Sequence, residues 1–463
     1  MTNQTARQTS RIVALHTKEE RMQTQVIHGT SCLQNEVPDV ENPVISLPGI
    51  SYAERNNCFC LNKDLLSKHL LLLGGSGCGK TTTFFYLLRD IRRMMDQNDV
   101  LIVFDTKGEF YEKFGRPGDV VIGNGKQFYS SSSSWNIFQE VLADGWTERY
   151  VTMNAREISS ALFADRGSSS QPFFCNAARD IFYALLVHFV RQALYVPEKR
   201  MGHLNNADLL RAIRSFTAAD YLKIFEAYPD FRYMKTYIGD GKSNQALGVF
   251  GELNSMVAEY FVGVLAEHRP NNSVAMRKLV REKGGRAIFL EYDLAIGETL
   301  TPMYRLLIDQ ALKEALGRTT ENKEAGEVYL AADEFKLLPK LRHIDDALNF
   351  GRGLGVRVIA GIQSIDQLYD IYGEEKGNVI AGGFGSMFAY HTNDSSSREY
   401  ITRRFGKNFV EETYNNVNGG TVSNSREGNS VEEWDQMELG LGQAVIGLGY
   451  SEPFLFQFDN YRG

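Results

Sequence analysis

The stretch His69-Leu70-Leu71-Leu72-Leu73-Gly74-Gly75-Ser76-Gly77-Cys78-Gly79-Lys80-Thr81 decides the fold. Four consecutive leucines before a glycine cluster predict a strand buried on both faces, as in a parallel sheet. The amphipathic run at 82–95 predicts a helix directly after the glycines. Gly74 and Gly79, spaced as in a P-loop and followed by Lys80 and Thr81, leave room for backbone N–H groups to curl around phosphate oxygens. In that pattern Lys80 reaches the β- and γ-phosphates and Thr81 offers a hydroxyl to Mg²⁺. Gly74, Gly75, Ser76, Gly77, Cys78, Gly79, Lys80, Thr81 and Thr82 are therefore the expected binding residues for ATP with Mg²⁺.

Working outward, short apolar runs recur at 44–47, 58–61, 100–104, 286–290, 328–332, 356–360, 386–390 and 443–446. Helical patterns lie between several of them, at 301–316 and 342–350 for example. This alternation predicts an α/β domain with a mostly parallel sheet and helices on both faces. From 145 to 285 the period is helical instead, clearest at 177–194, 206–215 and 245–264. The expected organisation is a polar extension at 1–45, an α/β domain at 46–144 plus 286–463, and an all-α insertion at 145–285.

Nucleotide hydrolysis needs acids at the end of a neighbouring strand. Two strand ends compete. One gives Asp105 followed by Thr106; the other gives the adjacent carboxylates of Asp333 and Glu334. The pair suits two different jobs, Asp333 holding the metal shell and Glu334 activating water. Gln363, at the tip of the 356–360 strand, reads as a γ-phosphate sensor or as a cap of the next helix. Arg352, between Gly351 and Gly353, reads as an arginine finger or as a surface residue in a glycine turn; Arg357 competes but sits inside the strand pattern.

The order of these motifs resembles the type IV secretion coupling proteins, the TraG/TraD-type ATPases of conjugation. The matching elements are Gly74 to Thr81, Asp105 to Glu109, Trp135-Asn136, Ala332-Asp333-Glu334-Phe335, Gly351-Arg352-Gly353, Ile362-Gln363-Ser364 with Gln367-Leu368, and Tyr372-Gly373. They cover roughly residues 45 to 400, and Thr106 stands where that family usually has proline. The resemblance implies a RecA-like P-loop NTPase domain with an inserted all-α domain. It also implies a homo-hexameric ring that couples ATP hydrolysis to export of single- or double-stranded DNA and of relaxase nucleoprotein through type IV secretion components. It places Lys80 and Thr81 on nucleotide and Mg²⁺, Asp333 and Glu334 at the hydrolytic centre, Gln363 as sensor and Arg352 as a finger acting in trans.

Bulk features narrow the reading further. Cys32, Cys58, Cys60, Cys78 and Cys175 form no CxxC pair, which fits a reducing compartment better than a disulfide framework. The resemblance implies N-terminal membrane helices, but no apolar run here approaches the ~18–20 residues that span a bilayer. The run at 181–190 is read as a buried helix, and Arg7, Arg11, Lys18 and Arg21 precede no apolar core. The expectation is a cytoplasmic variant, peripheral to the inner face of the membrane through a partner only. Net charge is −7, yet 145–285 holds 18 Lys and Arg against 14 Asp and Glu, a local +4 that leaves −11 for the rest. The insertion is thus the mildly cationic part that phosphate contacts favour, with Lys235, Lys242 and Lys278 as candidates.

Two other functions stay open on sequence: a HerA/FtsK-like DNA translocase of repair or packaging, and a nucleotide-binding receptor platform that moves nothing. Trp135-Asn136 and the helical insertion favour the coupling reading over the former. The intact Lys80, Asp333 and Glu334 count against the latter. The acids between Asn424 and Gly463 read as a solvated loop or as a docking site for partners.

Overall fold

Leu70–Leu73 is a strand with all four side chains buried, as a run without polar alternation requires. The computed structural model describes residues 24–33, 35–51, 56–166, 172–317, 326–338, 340–415, 421–449 and 451–462. The chain divides into two compact units. The first comprises Met1–Asp105, Glu109–Arg116 and Thr319–Gly463; the second comprises Thr106–Gly108 and Pro117–Arg318.

With strands numbered in chain order, the first unit holds β1 (Thr24–His28), β2 (Ile45–Ser51), β3 (Asn56–Leu61), β4 (Leu70–Leu73) and β5 (Val100–Asp105). The second holds β6 (Val120–Gly123), β7 (Ser134–Trp135), β8 (Ser273–Val274) and β9 (Arg286–Glu291). The first unit continues with β10 (Val328–Ala332), β11 (Val356–Ile362), β12 (Ser386–Tyr390), β13 (Lys407–Asn415), β14 (Thr421–Asn429), β15 (Gln443–Gly447) and β16 (Phe454–Phe458). Its main sheet runs β3-β2-β16-β15-β12-β4-β11-β10-β5. From β12 to β5 every pairing is parallel. These strands are buried along their whole length, the state of a sheet covered on both faces.

The flank from β12 through β15, β16 and β2 to β3 is antiparallel, so the sheet is more mixed than the sequence pattern predicts. Phe59 of β3 anchors this flank, edge-on to Phe388, Phe454 and Phe456 at ring distances of 5.4 to 5.6 Å.

Several expectations change here. The polar extension is not featureless: β1 pairs antiparallel with β13, and β14 completes a second, three-stranded sheet. Residues 1–23, with Arg7, Arg11, Lys18 and Arg21, lie outside the described residues, as does the serine-rich stretch at 167–170 that sequence reads as polar. The stretch from 424 onward is not one acidic loop. It forms most of β14, a short helix (Glu433–Glu438), β15 and β16. Its acids are engaged: Glu432 accepts from the Asn429 N–H and amide, Asp435 accepts from the Glu432 N–H, and Glu433 pairs with Arg398.

In the second unit the dominant elements are the helices Glu148–Leu162, Pro172–Tyr195, Asn206–Ser215, Ala218–Ala227, Asn244–Tyr260 and Gly297–Leu316. Pro172–Tyr195 is long and apolar enough to cross a membrane, but 67% of its apolar window is buried inside the protein. The unit also takes in β6 paired in parallel with β9, and β7 with β8. Its bounds at 117 and 318 are therefore wider than the helical stretch at 145–285.

Trp135 and Asn136 act as its joint. Trp135 Nε1 donates to the buried Glu140 at 3.0 Å, and the Asn136 side chain caps the helix Ile137–Val141 through the Phe138 and Gln139 N–H groups. Asn206 Nδ2 in turn donates to the carbonyls of Trp135 and Leu265, both at 2.7 Å.

Candidate active site

The glycine loop after β4 is pinned from both neighbouring strands. The Gly74 N–H donates to Ile362 O at 3.2 Å and the Gly75 N–H to His391 O at 2.9 Å. Gly77 and Gly79 have φ of +73° and +116°, where a side chain would be strained. A Cβ on Gly74 would meet the Tyr390 Cβ at 2.5 Å. The loop's far side rests on a turn near the last strands, where the Gly442 N–H donates to Cys78 O at 2.9 Å.

The helix Lys80–Met94 follows with no side-chain cap, so its first N–H groups stay available to an anion. Lys80 is buried and its ammonium is folded into the loop, donating to Gly74 O at 2.6 Å and Gly75 O at 3.0 Å. Loop carbonyls thus hold the charge where phosphate oxygens would compete for it. Ser76 and Gly77 form the exposed tip, and Thr82 is half-buried. Next to it Thr83 shares a hydrogen bond of 2.6 Å with the buried Tyr390 hydroxyl.

The ends of β10 and β11 bring the other expected residues to this edge. Thr81 Oγ1 donates to Asp333 Oδ2 at 2.7 Å. Gln363 Nε2 donates to Glu334 Oε1 at 2.9 Å and Oε2 at 3.1 Å. Gln363 is itself held by its N–H, which donates to Gln367 Oε1 at 3.1 Å. Ser364 Oγ donates to Asp394 Oδ2 at 2.8 Å. Against the cost of its burial, donors from Ser397 and Ser364 keep that carboxyl below the usual range.

Gly361 lets the two strand ends close up, since a Cβ there would lie 2.3 Å from Asp333 O. A hydroxyl–carboxylate pair beside an amide-held carboxylate is the donor set that a phosphate-bound Mg²⁺ and an attacking water require. The geometry fits both.

The competing acid has another task. Asp105 is fully buried and caps the helix Glu109–Phe114, accepting from the Phe110 and Tyr111 N–H groups at 2.9 and 3.1 Å. Thr106, Lys107 and Gly108 line a cavity of about 460 Å³ in the second unit, together with Lys126, Gln127, Glu291 and Asp293 among others.

Arg352 is not at this edge. It precedes β11 while Gln363 follows it, so the seven-residue strand, about 20 Å long, separates them. Its guanidinium pairs with Asp64 at 2.9 Å, and both side chains are more than half exposed. Arg357 is tied to Glu327 at 2.7 Å and to the carbonyls of Arg352 and Val356. Sequence reasoning missed two contributors. Tyr390 was visible only as the end of a strand, and Gly442 only as one glycine of the 440–442 turn.

A family described as the type IV secretion-system coupling protein DNA-binding domain matches residues 58–440. The conjugal transfer protein TraG of Agrobacterium fabrum is 25% identical over 305 residues, which is 61% of this chain and 44% of that protein. The coupling protein TraD of Escherichia coli is 24% identical over 347 residues, 74% of this chain and 42% of TraD. The chain thus spans under half the length of these two relatives. The plasmid coupling protein TrwB in complex with ADP and Mg²⁺ superposes with a TM-score of 0.65 at 17% identity, covering 92% of this chain and 96% of that one. That likeness shows the fold: a RecA-like P-loop NTPase domain with an all-α domain. Because the family match runs through most of its length, the chain belongs to the type IV secretion-system coupling protein family.

Proposed function

We propose that this protein is an ATP-driven coupling protein that recruits DNA or relaxase nucleoprotein and passes it to a type IV secretion machinery of conjugation. The observation that carries this reading is the convergence of Thr81–Asp333 and Gln363–Glu334 beside the glycine loop. On ATP binding the Lys80 ammonium exchanges its loop carbonyls for β- and γ-phosphate oxygens. The Thr81 hydroxyl and the Asp333 carboxylate would hold Mg²⁺, which would supply positive charge against the phosphates. Glu334 takes a proton from the attacking water while Gln363 fixes its direction. The TrwB complex with ADP and Mg²⁺ supports the choice of nucleotide and metal.

Arg352 faces away from its own subunit's nucleotide, which supports a role at the site of a neighbour in a homo-hexameric ring. The chain works in the cytoplasm.

DNA-stimulated ATP hydrolysis, compared with Glu334→Gln, tests the reading. DNA is expected to raise turnover of the native protein and leave the variant inactive. If DNA leaves turnover unchanged at every oligomeric state, the translocase reading fails and the receptor-platform reading replaces it.

A further inference from the structure

One side of the helix Pro172–Tyr195 meets the segment 228–237 in the second unit, and their rings touch in sequence. Phe173 lies edge-on to Tyr237 at 5.9 Å, and Tyr237 edge-on to Tyr233 at 5.8 Å. The assembly is held from behind. The Tyr237 hydroxyl donates to Asp180 Oδ2 at 3.1 Å, and Gln245 Nε2 donates to the carbonyls of Thr236 and Tyr237.

Arg156 stacks over Tyr183 at 4.3 Å. Despite this support the outer rings are wet: Phe173 is 43% exposed and Tyr233 46%. Arg156 and the exposed Arg232 have no carboxylate within ion-pair distance among the described residues. Two of the lysines singled out by sequence are committed instead, Lys235 to Glu226 at 2.7 Å and Lys278 to Glu282 at 3.8 Å.

Exposed, pre-oriented rings beside uncompensated guanidinium groups select a ligand with flat faces and negative charge. Unpaired bases on a phosphate backbone supply both. A duplex hides its base faces in its own stack and offers only edges and phosphates. We propose that Phe173, Tyr237 and Tyr233 form a stacking platform for single-stranded nucleic acid, with Arg156 and Arg232 facing its phosphates. This rests on the coupling reading and narrows its DNA to an unpaired strand at this face.

Fluorescence anisotropy with a labelled oligothymidylate and a duplex of equal length tests it on the full chain. Replacing both rings, Phe173→Ala with Tyr233→Ala, is expected to weaken oligothymidylate binding by about tenfold or more, with duplex binding changed less than about twofold. Tyr233→Phe, which keeps the ring, stays within about threefold of the native protein. Arg232→Glu, on an exposed side chain that does not hold the fold, weakens binding and lowers the salt slope by about one. The platform is overturned if the double variant melts like the native protein and binds oligothymidylate equally well. Equal losses on duplex and single strand overturn it too, as does a Tyr233→Phe loss as large as that of alanine. If the native protein binds neither DNA form, the DNA reading itself falls.

Discussion

Gln363 holds both carboxylate oxygens of Glu334 through a single amide, at 2.9 and 3.1 Å. The amide therefore keeps the carboxylate oriented, and water must share the acid with it. Glu334→Gln removes the proton acceptor and is expected to lower kcat by about 10²-fold or more. Nucleotide affinity should stay within about twofold, because Lys80 and Thr81 are untouched. Gln363→Ala frees the acid without removing it, so its kcat loss should be about tenfold. Single-turnover hydrolysis beside fluorescent-nucleotide titration separates the two effects.

Arg352 pairs with Asp64 on the strand edge away from the glycine loop. Rings mixed from Arg352→Ala and Lys80→Ala subunits should partly regain hydrolysis, since some interfaces then combine a native arginine with a native loop. Either variant alone should stay inactive. Absence of rescue over all mixing ratios would make the arginine structural.

Gly361 sits where a methyl group would meet Asp333 O at 2.3 Å. Gly361→Ala must push β10 and β11 apart or shift Asp333, costing about 1–3 kcal/mol. Chemical denaturation should show that loss. Mg²⁺ titration of hydrolysis should show a higher metal requirement even in the fraction that remains folded.

Two histidines, the buried His69 and the half-buried His188, make the protein acid-sensitive. Burial first, then the charge of Arg357, pushes His69 down to about 4; burial, then Arg200 and Arg191, does the same for His188. Both groups are therefore neutral in the folded state, while the unfolded chain takes up a proton near the ordinary value of about 6.5. Between those values the unfolded chain binds more protons, so stability falls as pH drops through that window and is fully present above it. Each histidine should cost about 2 kcal/mol at about pH 5. Urea unfolding of His188→Gln at about pH 7 and about pH 5 should show a smaller drop than the native protein.

Much of the nucleotide edge was legible because its signals are local. The Leu70–Leu73 run must be buried on both faces, and the glycines at 77 and 79 must adopt positive φ. The hairpin of β13 and β14 was not legible. Its second strand, Thr421–Asn429, carries one apolar side chain, Val422, so no alternation marks it. The bounds of the second unit were hidden for a different reason. β6 and β9 look like any other buried strands, and their parallel pairing with each other spans a sequence separation that no local pattern marks. Arg352 could be found by its glycines, but its distance from Gln363 comes only from the strand between them.

The floor of the phosphate loop arrives late. Gly75 leans on His391 and Cys78 on Gly442, partners more than three hundred residues downstream. A ribosome delivers the glycine loop long before its supports. Until β12 and the turn at 440–442 have emerged, the nascent chain carries the complete motif without the pocket. Nucleotide capture is thereby reserved for chains in which both supports have been made.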